Sequence, residues 1–458
     1  MENNDNGLNT DQKNKNITRR NALKIIGYCV VGGAVAGYGI NKIVKNFRKE
    51  AAEGGLKMAL REDKGASTEI SLLGFGCMRF PVIEQKGEDG KAVKIIDMEK
   101  SQELVDYAYS HGVNYYDTAY NYHRGKSGEA IGKMLKKYPR ESFYLANKMP
   151  SWLIEKPEDC KKLFEEQLAN CGVDYFDYYL LHALSDRATY DKAYEECGGY
   201  NYLQSEKAAG RIKRVGFSFH GDKELFDYLM QKHQWDFVQL QINYVDWTEQ
   251  NAQYCYSELV KREIPCVVME PLKGGMLASL SKDAEKILKE AEPDNSIASW
   301  AFRYAGSLPG VITVLSGMTE MEHLVDNVKT FSNFRPLDVK ERALLDKVID
   351  DFKKYPQIGC TGCSYCMPCK YGVDIPAVFA AYNKCVKESS IPDLNAPRDS
   401  KFDSKKRTFL ATYKNMVKEG SRADRCIECG RCAGMCPQEL PIPEIISKIN
   451  NLVTELEK

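Results

Sequence analysis

The chain has 458 residues, of which 43% are hydrophobic, so it is long enough to bury a large core and to form more than one domain. Lys and Arg together number 64, as do Asp and Glu, and the formal net charge is therefore zero. This balance gives no global electrostatic basis for binding nucleic acid, and we expect no nucleic-acid partner.

Residues 1–50 predict a leader with a twin-arginine-like export signal. Arg19 and Arg20 precede an apolar run over 25–40, and the small residues Ala-Val-Ala at 34–36 offer a cleavage site. The run is shorter than the roughly 20 residues of a membrane span. The sequence thus predicts an exported protein that is periplasmic or membrane-associated. A cytoplasmic protein with an unrelated leader is the alternative.

From residue 71 onward, short apolar runs alternate with longer stretches of helical periodicity. The strand-like runs are SLLGFGCM, NYYDTA, SFYLANKM, FDYYLLH, RVGFSFH, DFVQLQIN, PCVVMEPL and VITVLSGM. Such repeated strand–helix units predict an α/β fold, a (β/α)8 TIM barrel over residues 57–335. An open doubly wound sheet is the alternative. A dinucleotide-binding sheet of that kind carries a Gly-x-Gly-x-x-Gly motif after its first strand, and GFGCMR lacks the third glycine.

Polar side chains follow the second, third and fourth predicted strands, where barrel enzymes place their chemistry. Asp117 and Tyr122 follow the second strand, Lys148 the third and His182 the fourth. A tyrosine whose pKa is lowered by a nearby lysine ammonium can protonate a carbonyl oxygen. Asp117 would orient Lys148, and His182 would position the carbonyl by a hydrogen bond. Each residue alone is also consistent with a structural role, such as a helix cap or a buried histidine.

Together, in this order on successive strands, the four residues resemble the catalytic tetrad of the aldo/keto reductases. The resemblance covers roughly residues 57–335 and includes EISLLGFGCMR, NYYDTAYNYHRGKSGEAIGKML, VGFSFHG, VQLQINY, EPLKGGML and VLSGMTEMEHLVDN. It implies hydride transfer between a bound nicotinamide cofactor and a small carbonyl or alcohol substrate, with Tyr122 as the acid.

The same resemblance implies which residues hold the dinucleotide. Ser218 and Gln239 would contact the nicotinamide amide. The adenosine end would be met by Ser316, Gly317, Met318, Thr319 and Asn327. Met269 replaces the usual stacking aromatic, and the basic residues that would bind a 2′-phosphate are missing. NADP and NAD therefore both stay open, and a flavin is a further alternative.

Eight of the 16 cysteines form two short runs near the C-terminus. The second run has bacterial ferredoxin spacing, and in two-cluster proteins each run lends its fourth cysteine to the other cluster. We therefore expect one [4Fe-4S] cluster on Cys360, Cys363, Cys366 and Cys436. A second cluster would be bound by Cys426, Cys429, Cys432 and Cys369. A zinc site is one alternative, and a single cluster is another, because Lys370 stands where proline follows the second run.

These features divide the chain into a leader, the barrel, a helical linker over 336–356 and a mainly helical ferredoxin-type domain over 357–458. The whole chain resembles the iron–sulfur branch of the aldo/keto reductases. The other cysteines are expected to be buried thiols, namely Cys29, Cys77, Cys160, Cys171, Cys197, Cys255, Cys266 and Cys385.

The expected function is that of an oxidoreductase that reduces a carbonyl or oxidises an alcohol, with two [4Fe-4S] clusters relaying electrons. An external electron carrier is a further expected partner. A catalytically idle barrel that serves as a docking platform for an iron–sulfur electron carrier is the alternative from a different functional class.

Overall fold

The computed structural model describes residues 57–87, 92–248, 251–354 and 357–458. The predicted export signal and Cys29 lie outside the described residues. Within the described part of the chain, no helix combines the length and the apolar character needed to cross a membrane. Lys57–Lys458 form one compact unit.

Eight parallel strands close into a barrel, and this confirms the predicted fold class. In chain order, these strands are β3 (Leu73–Gly76), β6 (Tyr115–Asp117), β7 (Tyr144–Met149), β8 (Phe176–Leu184), β9 (Ile212–Phe219), β10 (Phe237–Gln241), β11 (Cys266–Met269) and β12 (Val311–Ser316). Around the barrel, the strand order is β10-β11-β12-β3-β6-β7-β8-β9.

Helices follow the strands and surround the barrel. They are α1 (Met98–Ser110), α2 (Ser127–Leu135), α3 (Pro157–Cys171), α4 (Arg187–Tyr190), α5 (Gly199–Ala208), α6 (Lys223–Lys232), α7 (Ala252–Lys261), α8 (Lys282–Ala291), α9 (Ile297–Gly306), α10 (Met321–Phe331) and α11 (Val339–Lys354). Several begin at a side chain that accepts a hydrogen bond from the backbone N–H three residues on, as at Asp97, Asp222 and Ser281. Such caps satisfy backbone donors that the first turn of a helix leaves unpaired.

Two antiparallel hairpins accompany the barrel, and the sequence analysis did not predict them. The first pairs β1 (Leu60–Asp63) with β2 (Thr68–Ser71), and the second pairs β4 (Val82–Lys86) with β5 (Ala92–Ile96). Every residue of β4 is exposed, so this strand has no apolar face to signal it.

The barrel interior is filled with aromatic and aliphatic side chains, so it is a packed core rather than a pore. The cluster comprises Ile70, Tyr115, Ala146, Tyr178, Leu180, Phe237, Val267, Ile312 and Leu315. Seven of the cysteines outside the two runs are buried, as expected: Cys77, Cys160, Cys171, Cys197, Cys255, Cys266 and Cys385. A filled interior confines any substrate site to the rim of the barrel.

Three helices form the C-terminal domain, which is mainly helical as predicted. They are α12 (Ile375–Lys387), α13 (Ser400–Met416) and α14 (Ile442–Glu457). They pack around a core of their own, in which Phe379, Phe409 and Ile446 are at most 1% exposed. The two cysteine runs lie in the loops that precede α12 and α14.

The loops of the C-terminal domain lie against the rim of the barrel. Arg79 Nη2 donates to the Thr361 carbonyl oxygen at 2.5 Å. The side-chain amides of Gln241 and Gln438 hydrogen-bond each other in both directions, at 3.0 and 2.8 Å. Helix α11, which falls in the predicted linker, is tied to the barrel by two hydrogen bonds from Arg303 to Glu341.

Candidate active site

Adjacent strands bring Asp117, Lys148 and His182 to one side of the rim. Asp117 is the last residue of β6, Lys148 lies near the end of β7, and His182 lies near the end of β8. Lys148 Nζ lies 2.5 Å from Asp117 Oδ1 and 3.4 Å from the Tyr122 hydroxyl. The Tyr122 and His182 rings meet edge to face, with centroids 6.2 Å apart. The structure therefore brings the four predicted catalytic residues together.

Asp117 and Lys148 form a buried ion pair. Their side chains are 3% and 1% exposed, and Lys148 Nζ also donates to the Thr118 carbonyl oxygen at 2.8 Å. Burial raises the pKa of Asp117 and lowers the pKa of Lys148, while each charge opposes the shift of its partner. This pairing keeps a positive charge beside the Tyr122 hydroxyl.

The expectation of a lowered pKa for Tyr122 is wrong for this structure. Burial raises the pKa of Tyr122 well above its ordinary value, and the nearby Tyr365 and Asp117 raise it further. A phenolate here would lose its hydration and would lie near the negative charge of Asp117. Tyr122 consequently keeps its proton at neutral pH, and a general acid needs that proton.

His182 is neutral at neutral pH. Burial lowers its pKa well below the ordinary value, and the charge of Lys148 lowers it further. Its Nδ1 atom is buried and has no hydrogen-bond partner among the described residues. Its Nε2 atom lies 2.7 Å from the hydroxyl of Tyr365. A neutral imidazole can hydrogen-bond a substrate oxygen without placing a second positive charge beside Lys148.

Tyr365 and Trp152 complete the site, although sequence reasoning missed both. Tyr365 lies in the first cysteine run, and its hydroxyl hydrogen-bonds His182 Nε2 and the Tyr122 hydroxyl. The Trp152 ring lies 5.1 Å from His182 and 6.5 Å from Tyr365. Neither residue carries a sequence signal, because residues between cluster ligands are not constrained by ligation and Trp152 lies in a loop after β7.

Ser218 and Gln239, the predicted nicotinamide contacts, face each other across β9 and β10. Each is 2% exposed. Ser218 Oγ accepts from the Ala183 N–H at 2.7 Å, and Gln239 Nε2 lies 3.3 Å from Met269 Sδ. Gln239 Oε1 is buried without a partner in the described part of the chain. A carboxamide N–H₂ group would satisfy this orphaned acceptor, so this end of the site fits a nicotinamide.

The predicted adenosine contacts are satisfied within the protein. Asn327 Nδ2 donates to Ser316 Oγ at 3.0 Å, and Thr319 Oγ1 donates to the Arg79 carbonyl oxygen at 2.9 Å. Met318 is 1% exposed. A Cβ atom on Gly317 would lie 2.7 Å from Arg79 Cδ, so the Arg79 side chain packs directly on this backbone.

Thr361 is buried between Arg79 and Gly274. It is 2% exposed and accepts the hydrogen bond from Arg79. On its other side, a Cβ atom on Gly274 would lie 2.4 Å from Thr361 Cα, so the two backbones are in close contact. In this structure, the nicotinamide end therefore offers an unpaired acceptor at Gln239, whereas the predicted adenosine contacts make hydrogen bonds and packing contacts within the protein.

The cysteines approach one another in two sets, and each set draws one member from the other run. Burial raises the pKa of Cys366, and the charges of Cys363, Cys360 and Cys436 raise it further, followed by that of Cys432 from the other set. In the other set, burial raises the pKa of Cys432, which lies near three further thiols. These are Cys426, Cys429 and Cys369.

No three His, Cys, Asp or Glu side chains within the described ranges are placed to hold a single metal ion together. In a cubane, by contrast, each cysteine binds a different iron, so the thiolates stand around the cluster rather than converging on one ion. The two sets of four thiols therefore supply the donor type and number that two [4Fe-4S] clusters require.

Two family models match the chain. The model of the aldo/keto reductase family matches residues 73–350, and that of the 4Fe-4S dicluster domain matches residues 359–440. The second match favours iron–sulfur binding over zinc. The first continues into helix α11, beyond the end that the sequence analysis gave to the barrel.

Among known proteins, the chain is 23% identical over 316 residues to the uncharacterized oxidoreductase YqkF of Bacillus subtilis, covering 62% of this chain and 95% of that protein. It is 25% identical over 260 residues to the NADH-specific methylglyoxal reductase of Escherichia coli, covering 47% of this chain and 78% of the relative.

Solved structures show the same barrel. The holo form of the aldo-keto reductase AKR11C1 from Bacillus halodurans superposes with a TM-score of 0.52 at 23% identity, covering 64% of this chain and 96% of that chain. An aldo-keto reductase from Klebsiella pneumoniae in complex with NADPH superposes with a TM-score of 0.51 at 18% identity, covering 67% of this chain and 98% of that chain.

Proposed function

The chain belongs to the aldo/keto reductase family and carries a 4Fe-4S domain after its barrel, and we propose that this oxidoreductase reduces a small carbonyl compound or oxidises the corresponding alcohol. The observation that carries the proposal is the protonated Tyr122 hydroxyl 3.4 Å from the buried Lys148 ammonium. A buried lysine is costly to maintain. A barrel that served only as a docking platform would have no use for it.

In the direction of reduction, Tyr122 donates its proton to the carbonyl oxygen. The Lys148 ammonium stabilises the negative charge that develops on the Tyr122 oxygen, and Asp117 holds Lys148 in place. The neutral His182 orients the carbonyl by a hydrogen bond through Nε2. In the direction of alcohol oxidation, each of these roles is reversed.

Ser218 and Gln239 would hold the carboxamide of a nicotinamide cofactor, which when bound supplies a hydride to the carbonyl carbon. The missing 2′-phosphate contacts leave NADP and NAD as candidates. A flavin is the third candidate, because passing electrons singly to iron–sulfur clusters is easy for a flavin and unfavourable for a nicotinamide.

We propose two [4Fe-4S] clusters on the crossed cysteine sets, with an external electron carrier as the partner that exchanges electrons with them. Reducing a carbonyl to an alcohol takes two electrons and two protons. Each cluster passes one electron at a time, so a pair of clusters matches the electron count. Cys436 completes the ligand set of the cluster on the first cysteine run, and Cys369 completes that of the cluster on the second run.

The test is turnover of a carbonyl panel by anaerobically purified holo-protein, with NADPH, NADH or reduced methyl viologen as the electron donor. Tyr122→Phe should lower turnover by at least about 100-fold, as expected for loss of a general acid. Tyr120→Phe changes a neighbouring tyrosine whose hydroxyl donates to Glu166 at 3.4 Å, and is the matched control. If Tyr122→Phe turned over at the full rate, the assignment of Tyr122 as the general acid would be wrong.

The same panel tests the docking-platform alternative. If viologen reduces the clusters and no carbonyl or alcohol on the panel turns over with any donor, the platform is favoured.

The proposal also includes export by the leader, motivated by Arg19 and Arg20. Replacing both with lysine should leave the protein in the cytoplasmic fraction, and export at the unchanged level would contradict a twin-arginine route.

A further inference from the structure

The Tyr365 hydroxyl stands at the place where the proposed reaction needs a substrate oxygen. It lies 2.7 Å from His182 Nε2 and hydrogen-bonds the Tyr122 hydroxyl. These two groups are the proton donor and the orienting group of the proposed site. The contact with His182 Nε2 is at hydrogen-bond distance, so a second oxygen cannot occupy the same position.

We propose that the Tyr365 hydroxyl holds the substrate-oxygen position of the closed site, and that a carbonyl or alcohol substrate binds by displacing the Tyr365 side chain. The inference rests on the proposed function, since it takes Tyr122 and His182 as the groups that bind the substrate oxygen. It goes further by naming a competitor that the chain itself supplies from outside the barrel.

The ring of Tyr365 indicates the kind of substrate that replaces it. It meets the His182 ring edge to face at 5.8 Å, and Trp152 flanks both rings. Trp152 is 37% exposed, so one side of its indole is open to a ligand. Displacing a phenol from this wall leaves room for a planar apolar group, and a compact aryl aldehyde or ketone fits that description.

Displacement of Tyr365 also affects the iron–sulfur domain, because Tyr365 lies in the cluster-binding loop between the proposed ligands Cys363 and Cys366. The segment is short and held at its start, where Thr361 accepts the hydrogen bond from Arg79. Moving the Tyr365 side chain therefore changes the surroundings of the first cluster. By linkage, the state of that cluster and the affinity for substrate influence each other.

The first experiment measures binding, not activity. Holo-protein is titrated with 4-nitrobenzaldehyde without added cofactor, and tryptophan quenching is followed, with Trp152→Phe identifying the signal. Tyr365→Phe removes the competing hydroxyl and keeps the ring. It should bind the aldehyde about two- to tenfold more tightly, the change that one lost hydrogen bond produces. Tyr371→Phe, in the same loop, should bind like the unaltered protein.

Unchanged or weaker binding by Tyr365→Phe would overturn the proposal, as would failure of Tyr365→Ala to bind the aldehyde at all. Absorbance of the clusters checks that each variant is intact. If Tyr365→Phe binds normally while Tyr122→Phe loses turnover, the proposed function stands and this inference falls. A fully active Tyr122→Phe would instead remove the proposed function itself.

The second experiment reads the cluster. The electron paramagnetic resonance spectrum of reduced holo-protein should shift for one of the two clusters when 4-methoxybenzamide, an aryl carbonyl compound that the reduced clusters do not reduce, is added at saturating concentration. Tyr365→Ala should show the shifted spectrum before any ligand is added. A spectrum that no ligand and no Tyr365 variant alters would contradict the coupling.

Discussion

Lys148 Nζ and Asp117 Oδ1 lie 2.5 Å apart at the ends of neighbouring strands, and both side chains are almost completely excluded from solvent. Removing one partner of such a pair leaves an uncompensated charge in a low-dielectric site. The geometry of the active site and the stability of the barrel therefore depend on the same interaction.

Lys148→Met should lower the free energy of unfolding by roughly 3–5 kcal/mol, because Asp117 is then buried without a counter-charge. The double variant Lys148→Met/Asp117→Asn should recover part of the loss. Lys133 pairs with Glu129 at 2.6 Å on the surface, with side chains 65% and 41% exposed, so Lys133→Met is the control. Denaturant unfolding of holo-protein measures all three. Equal losses in Lys148→Met and Lys133→Met would contradict the assignment of a buried pair.

Ionisation of Tyr122 should not lower the rate of carbonyl reduction at any pH below about 9. Burial raises the pKa of Tyr122, so the group keeps its proton above the range in which a free tyrosine begins to lose it. The measurement is the pH profile of kcat for reduction by holo-protein. A decline with a midpoint near neutral pH that disappears in Tyr122→Phe would show that the phenol is acidic after all.

Anaerobically purified protein should contain about eight irons per chain, because eight thiolates supply the ligands of two cubanes. Cys436→Ala should disturb the same cluster as Cys363→Ala, although the two cysteines lie in different runs. Cys429→Ala should disturb the other cluster. Iron analysis and electron paramagnetic resonance of each variant provide the test. If Cys436→Ala alters the same signal as Cys429→Ala, the crossed assignment is wrong.

Oxidised holo-protein without flavin should show little bleaching of its cluster absorbance within seconds of mixing with NADPH or NADH in the absence of oxygen. Single-electron transfer from a nicotinamide passes through an unfavourable radical. Dithionite, which should bleach the same sample, is the control. Prompt bleaching by either nucleotide in flavin-free protein would refute this prediction.

Stability should decrease as the pH is lowered from about 6.5 toward 5.5. Burial lowers the pKa of His123 and of His220 from 6.5 to about 4. Between these values the unfolded chain binds protons that the folded protein does not, so each histidine costs on the order of 1 kcal/mol over this interval. Denaturant unfolding at several pH values measures the slope. His220→Gln should reduce this slope, and an unchanged slope in that variant would contradict the assignment.

The sequence predicted the barrel because its strands are buried on both faces and alternate with helical periodicity. It missed β4 because that strand buries nothing. The position of the tetrad also followed from the sequence, since parallel strands bring their C-terminal ends to one rim. The acidity of Tyr122 did not follow, because desolvation depends on neighbours from distant parts of the chain. Tyr365 reaches the site through the docking of a second domain, which no local pattern records.

The contact between Gly274 and Thr361 has a consequence for how the iron–sulfur domain depends on the barrel. The two backbones meet without an intervening side chain. This contact holds the loop that begins at Cys360 against the barrel. A Cβ atom at position 274 would lie 2.4 Å from Thr361 Cα, and the backbone at Gly274 is in the left-handed region (φ +67°). We therefore expect Gly274→Ala to push the loop that carries Cys360 and Cys363 away from the barrel, so that a change in the barrel alters the iron–sulfur domain.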